Sequence, residues 1–151
     1  MKQEATIVNT INARVDEVYA ALNQMLNGDP TAMLGLWSHQ PDVTAMFSVG
    51  GRLVGWDSVR AALMKISDLQ KRAGMVTTVT PSDVHVNVET AMAYALIHET
   101  TVFSANGQQV TVNARTTMVF RPEGPAWNIV HLHNDSVGSI EQMFSMLVMN
   151  L

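Results

Sequence analysis

The residues able to do chemistry near neutral pH are few, and their spacing narrows what they could do. No cysteine is present, which removes thiolate nucleophiles, thiolate-bound metals and disulfides together. The serines lack the setting of a nucleophile elbow. Gly50-Gly51 is a turn and not a phosphate cradle, because neither Gly-x-x-x-x-Gly-Lys-Ser/Thr nor Gly-x-Gly-x-x-Gly occurs. His131 and His133 share a strand face at a spacing compatible with a metal. No third imidazole or carboxylate ligand is evident beside them, so no metal is expected. What remains is proton transfer without a cofactor. An imidazole exchanges protons around pH ~6.5, and an asparagine amide can donate to a developing oxyanion.

Such groups need elements to hold them. Val8, Ile11, Val15, Val18, Leu22 and Met25 recur at spacings of three and four, which predicts an amphipathic first helix stopped by Gly28. Asp29-Pro30 opens a short second helix to about Trp37. Asp57 reads as the cap of a third, with the stripe Val59, Leu63, Ile66 and Leu69 and a stop at Gly74. Short strands are expected near Val43–Phe47 and Arg52–Val54. From Met75 the period changes to two. Long strands follow over about Ala91–Phe103 and Gln109–Arg121, joined at Asn106-Gly107, a strong hairpin signal. Pro122-Glu123-Gly124-Pro125 turns into the strand Trp127–Asn134. Ser139 with Gln142 marks the start of a terminal helix carrying Met143, Phe144 and Leu147.

This order of helices, then consecutive antiparallel strands, is α+β and not βαβ. At 151 residues the chain suits one domain, 1–151, with residues 137–151 as a C-terminal helical extension. A hydrophobic content of 47 % with 15 % charged residues is that of a globular protein. The net charge of −4 and scattered basic residues give no reason to bind nucleic acid or an anionic membrane. There is no apolar stretch of membrane-spanning length and no signal-peptide pattern, so a cytoplasmic location is expected. A long twisted sheet should curl around the first helix, leaving a conical cavity between sheet and helices.

Trp37, then Asp42-Val43-Thr44, Gly50-Gly51 and Gly55-Trp56-Asp57-Ser58-Val59, resembles the N-terminal half of SnoaL-like proteins in the nuclear transport factor 2-like superfamily. Thr116-Thr117-Met118-Val119-Phe120-Arg121 and Trp127-Asn128-Ile129-Val130-His131-Leu132-His133 are similar to that superfamily's closing strands. They are especially similar to the association domain of calcium/calmodulin-dependent kinase II. The resemblance implies a cone-shaped, curved antiparallel or mixed sheet wrapped around N-terminal helices, and a homodimer through the outer sheet face. It leaves the chemistry open, since the superfamily holds isomerases, dehydratases, cyclases and non-catalytic assembly modules.

Three strands of the kinase association domain project arginines into its pocket, and laying them on this chain puts Leu96, Met118 and Asn134 at the matching positions. By alternation the same faces carry Tyr94 and His98, Thr116 and Phe120, and Val130 and Leu132. Trp127, Ile129, His131 and His133 then look outward. The resemblance to scytalone-dehydratase-like enzymes casts His98 as acid/base and Asn134 as oxyanion or water positioner. Tyr19 would add a phenol donor, and Asp42 either orients a water or caps the turn after Pro41. Trp37, Phe47, Trp56 and Met64 complete the expected lining, though aromatic burial alone accounts for the two tryptophans. The expectation is a cofactor-free isomerase, dehydratase or cyclase acting on a small apolar carbonyl- or hydroxyl-bearing molecule. Its alternative is a non-catalytic ligand-binding or dimeric assembly domain.

Overall fold

A computed structural model describes residues 2–138; the terminal helix expected from Ser139 onward lies outside the described residues. The apolar stripe of the first segment forms α1, Lys2–Leu26, and buries Ile11, Val15, Val18, Tyr19 and Met25. The chain then turns at Gly28, whose φ of 104° suits a residue without a Cβ. Asp29 Oδ1 accepts from the Thr31 amide at the start of α2, Thr31–Gly35. After β1, Thr44–Met46, and β2, Arg52–Val54, comes α3, Trp56–Ala73. Gly55 is its cap and Asp57, expected as the cap, lies inside its first turn, so the helix begins two residues earlier than the sequence suggested. Gly74 ends it in the left-handed conformation, its amide returning to Lys71 O.

Four long strands follow: β3, Val76–Val88; β4, Ala93–Ala105; β5, Gln108–Glu123; and β6, Ala126–Ser136. They form one curved, mixed six-stranded sheet in the order β2-β1-β6-β5-β4-β3, antiparallel except where β1 lies parallel to β6. The helices cover its inner face, where Ala93, Ala95, Ile97, Met118, Phe120 and Ile129 meet the apolar side of α1. Each aliphatic side chain fully withdrawn from water there contributes about 1.5–3 kcal/mol.

The free edge of β3 is closed by α1 in an unusual way. Asn23 donates to Val79 O at 2.9 Å and accepts from Val79 N at 2.7 Å. One turn on, Asn27 repeats the pair with Thr77 at 2.8 and 3.1 Å. Two side-chain amides thus stand in for a seventh strand, satisfying backbone groups that an edge would otherwise leave open.

Register decides which side chains look inward. The two-residue turn Asn106-Gly107 pairs Ala105 with Gln108. Every inward even residue of β5 is therefore matched by an odd residue of β4: Met118 by Ala95, Thr116 by Ile97, Ala114 by Glu99. The expectation that Tyr94, Leu96 and His98 face the helices is corrected on this ground, because all three are exposed on the outer face. A bulge between β5 and β6 leaves Val130 unpaired and shifts the alternation by one. Ile129, expected outside, is consequently buried in the core.

Candidate functional site

Between α1, α2, α3 and the inner sheet face lies a cavity of about 250 Å³. Val18, Leu22 and Met25 of α1, Leu63 and Ile66 of α3, and Phe103 of β4 supply much of its apolar wall. Trp37, Phe47, Met118, Leu132 and Asn134, all expected there from the sequence, are on that wall. The polar lining consists of Ser48, Gln70, Glu99, Thr101 and Asn134.

Glu99 is the group that sequence reasoning missed. It is 6 % exposed, next along β4 from His98 and on the opposite face. Tyr19 Oη donates to its Oε1 at 2.5 Å, and Asn134 Nδ2 donates to Oε2 at 2.7 Å. The same Nδ2 donates to Thr116 Oγ1 at 2.8 Å. Four residues from α1, β4, β5 and β6 therefore form one buried polar network. Among the described residues no cation pairs with Glu99. A carboxylate buried without a counter-ion is tolerable only where neutral donors replace its lost water, as Tyr19 and Asn134 do here.

Tyr19 responds to that neighbour. Burial, the adjacent Glu99 charge and the hydrogen bond to it all push the phenol far above its ordinary value, with the Thr116 hydroxyl acting weakly in the other direction. The phenol therefore keeps its proton and acts as a donor at any physiological pH.

The remaining candidates lie elsewhere. His98 has a side chain 63 % exposed, and its Nδ1 sits 3.2 Å from Asp83 Oδ2 on the outer surface. Asp42 is held by Arg121, with Nη1 donating to Oδ2 at 2.6 Å, and that guanidinium keeps the Asp42 carboxyl below its usual range. Arg121 also donates to Ser38 and Glu123, making a clamp between the α2–β1 loop and β5. Trp56 stacks on His39 with ring centroids 4.2 Å apart, outside the cavity. Met64 is exposed on α3. Phe120 is fully buried but does not reach the cavity wall. Tyr94 and Leu96, as described, share the outer face with His131 and His133.

Within β4 neither hydropathy nor size separates Ala93, Ala95, Ile97 and Glu99 from Tyr94, Leu96 and His98, since Ile97 and Leu96 are isomers. The signal that places Glu99 inside is the hairpin: the turn Asn106-Gly107 pairs it with Ala114, in step with the inward Thr116 and Met118.

Comparison with known proteins adds the lineage. The profile of the SnoaL-like domain family matches residues 11–137. No protein of curated function matches the sequence. Among solved structures, a candidate dehydratase of the nuclear transport factor 2-like family from Streptomyces avermitilis superposes with a TM-score of 0.73 at 20 % identity, over 89 % of this chain and 98 % of that one. A nuclear transport factor 2-like superfamily protein from Salmonella enterica serovar Typhimurium gives 0.73 at 18 %, over 89 % and 96 %. The calcium/calmodulin-dependent kinase II hub of S. rosetta gives 0.67 at 18 %, over 86 % and 96 %. At these identities the likeness is one of fold.

Proposed function

This chain belongs to the SnoaL-like domain family, and we propose that its cavity takes a small, largely apolar molecule for cofactor-free proton transfer, with Glu99 accepting the proton. The observation that carries this reading is a carboxylate at the wall of an apolar cavity, held by Tyr19 and Asn134 and paired with no cation among the described residues. Such a group can take a proton from a carbon beside a carbonyl. Returned to another carbon, that proton completes an isomerisation; returned to a departing hydroxyl, it completes a dehydration. Tyr19 and Asn134 fix the direction of the carboxylate lone pairs, and the apolar wall excludes water that would otherwise solvate them. Both Asn134 amide hydrogens are engaged, so a developing oxyanion draws on the lining hydroxyl of Thr101 or the amide of Gln70.

Exchange of a substrate carbon-bound proton into D2O tests this. With 2-hydroxy-1-indanone as probe, the native protein should accelerate loss of the proton beside the carbonyl, and Glu99→Gln should abolish that acceleration. A rate equal to that of buffer alone would remove the catalytic reading.

A second reading, assembly through the outer sheet face, is favoured by a separate observation. Met46, Val54, Tyr94 and Leu96 are exposed in adjoining rows of the sheet. One row runs Val54, Thr44, His131, Val119, Tyr94; the next runs Arg52, Met46, His133, Thr117, Leu96. His131 is tied to Thr44 at 2.7 Å, and its partial burial holds the imidazole below its ordinary value, which suits a neutral ring on a face to be covered. A second copy of the chain laid on these rows would bury the apolar groups that a monomer leaves in water. Catalysis within the cone and assembly on its outside are compatible.

A further inference from the structure

The polar end of the cavity has a definite sense, and it restricts the chemistry of whatever binds. Of the four residues in the buried network, only Glu99 and Asn134 reach the cavity wall; Tyr19 and Thr116 lie behind it. Asn134 Nδ2 sits between Glu99 Oε2 and Thr116 Oγ1 at 2.7 and 2.8 Å, so its two hydrogens are both spent inside the protein. The reverse orientation would set the amide oxygen against a carboxylate oxygen, which fixes the nitrogen there. Tyr19 spends its hydrogen on Glu99 Oε1. The network's donors are thus consumed internally, and what it offers the cavity is lone pairs: those left on the carboxylate, and Asn134 Oδ1.

We infer that the Glu99–Asn134 end of the cavity selects a group that donates hydrogen bonds, an alcohol or a protonated amine, over the corresponding ketone or carboxylic acid, so that in a substrate carrying both a hydroxyl and a carbonyl the hydroxyl meets Glu99 and the carbonyl oxygen faces Thr101 or Gln70. The inference rests on the cavity being a binding site, as proposed above, and adds the polarity of its occupant. A ketone placed against Glu99 and Asn134 Oδ1 would bring lone pairs to lone pairs and leave buried acceptors unpaired. An alcohol or ammonium hydrogen would complete them. Ser48, Gln70 and Thr101 are hydrogen-bonded to none of the four network residues, and they remain for other substituents. Size is bounded too. A cavity near 150 Å³ holds benzene, so one of about 250 Å³ holds roughly ten non-hydrogen atoms.

Calorimetric titration of the intact protein with indane, 1-indanol, 1-aminoindane and 1-indanone at pH 7 tests the inference, since these share one body of that size and differ in the head. The alcohol and the amine should each bind at least about tenfold more tightly than the ketone. Comparison of the two separates plain donation from charge. In Glu99→Gln the new amide supplies a donor, and the preference of alcohol over ketone should shrink to within about threefold. The ranking on the native protein stands even if that variant folds poorly. A ketone that binds as tightly as the alcohol overturns the inference while leaving the cavity as a binding site. Failure of all four to bind overturns both.

Discussion

Asn134 on β6 and Glu99 on β4 meet across the intervening strand, Nδ2 to Oε2 at 2.7 Å, over the hydroxyl of Thr116. Residues so far apart in sequence touch because the sheet is curved, and because both side chains stand on its concave face. The contact orients an ionisable group that is nearly buried, at the wall of the cavity. Predictions for stability and for ligand selection both follow from it.

Tyr19 reports the state of this network. Its folded-state proton is held far above the ordinary phenol value. A pKa raised on folding contributes stability that is complete below the unfolded value near ~10 and falls away as pH rises beyond it. Unfolding free energy of the native protein should therefore decline between roughly pH 10 and 11.5 more steeply than that of Tyr19→Phe, by up to ~1.4 kcal/mol per pH unit. Parallel curves for the two proteins would show that neither burial nor Glu99 raises the phenol on folding.

The side-chain closure of β3 has a measurable worth. In Asn23→Ala the amide and carbonyl of Val79 lose their partners. Urea unfolding should show a loss of about 1–3 kcal/mol. Asn12→Ala, whose amide bonds only Val8 O on an exposed turn of the same helix, serves as the control and should change stability by less than about 0.5 kcal/mol. Equal losses would deny the edge-capping role.

Ser67 makes the opposite case. It is buried on α3 with a hydroxyl that finds no partner among the described residues. Ser67→Ala removes an unpaired polar atom at little cost in volume, so stability should be unchanged or rise by up to about 1 kcal/mol. A clear loss would reveal a bond to that hydroxyl.

If the outer face joins two copies, Leu96→Lys places charges where the two sheets would meet. Sedimentation velocity should find the native chain dimeric and the variant monomeric, with the same far-ultraviolet circular dichroism. A native monomer at micromolar concentration would rule out that assembly.

Much of this architecture was legible in the sequence. The stripe from Ile11 to Met25, the stops at Gly28 and Gly74, and the turn at Asn106-Gly107 each carried a local physical signature. The inward set on β5 and β6, Met118, Leu132 and Asn134, was legible as well. The parity of β4 was the point of failure, although the same turn contained the answer. A two-residue hairpin loop obliges even positions on one strand to pair with odd positions on the other, so placing Met118 inside already placed His98 outside. Position 130 was harder. The bulge that buries both Ile129 and Val130 arises from the fit of β6 to its neighbours, and no residue in the segment announces it. The salt bridge between Asp42 and Arg121, 79 positions apart, likewise depends on tertiary placement alone.

The central claim is that Glu99, and not the adjacent His98, is the ionisable group of the cavity. The most direct measurement is the affinity of 1-aminoindane for the native protein, Glu99→Gln and His98→Gln under identical conditions. Loss of a charge-assisted hydrogen bond should weaken binding by about tenfold or more in Glu99→Gln, while His98→Gln stays within about twofold of native. Weakened binding in His98→Gln with Glu99→Gln unaffected would contradict the claim.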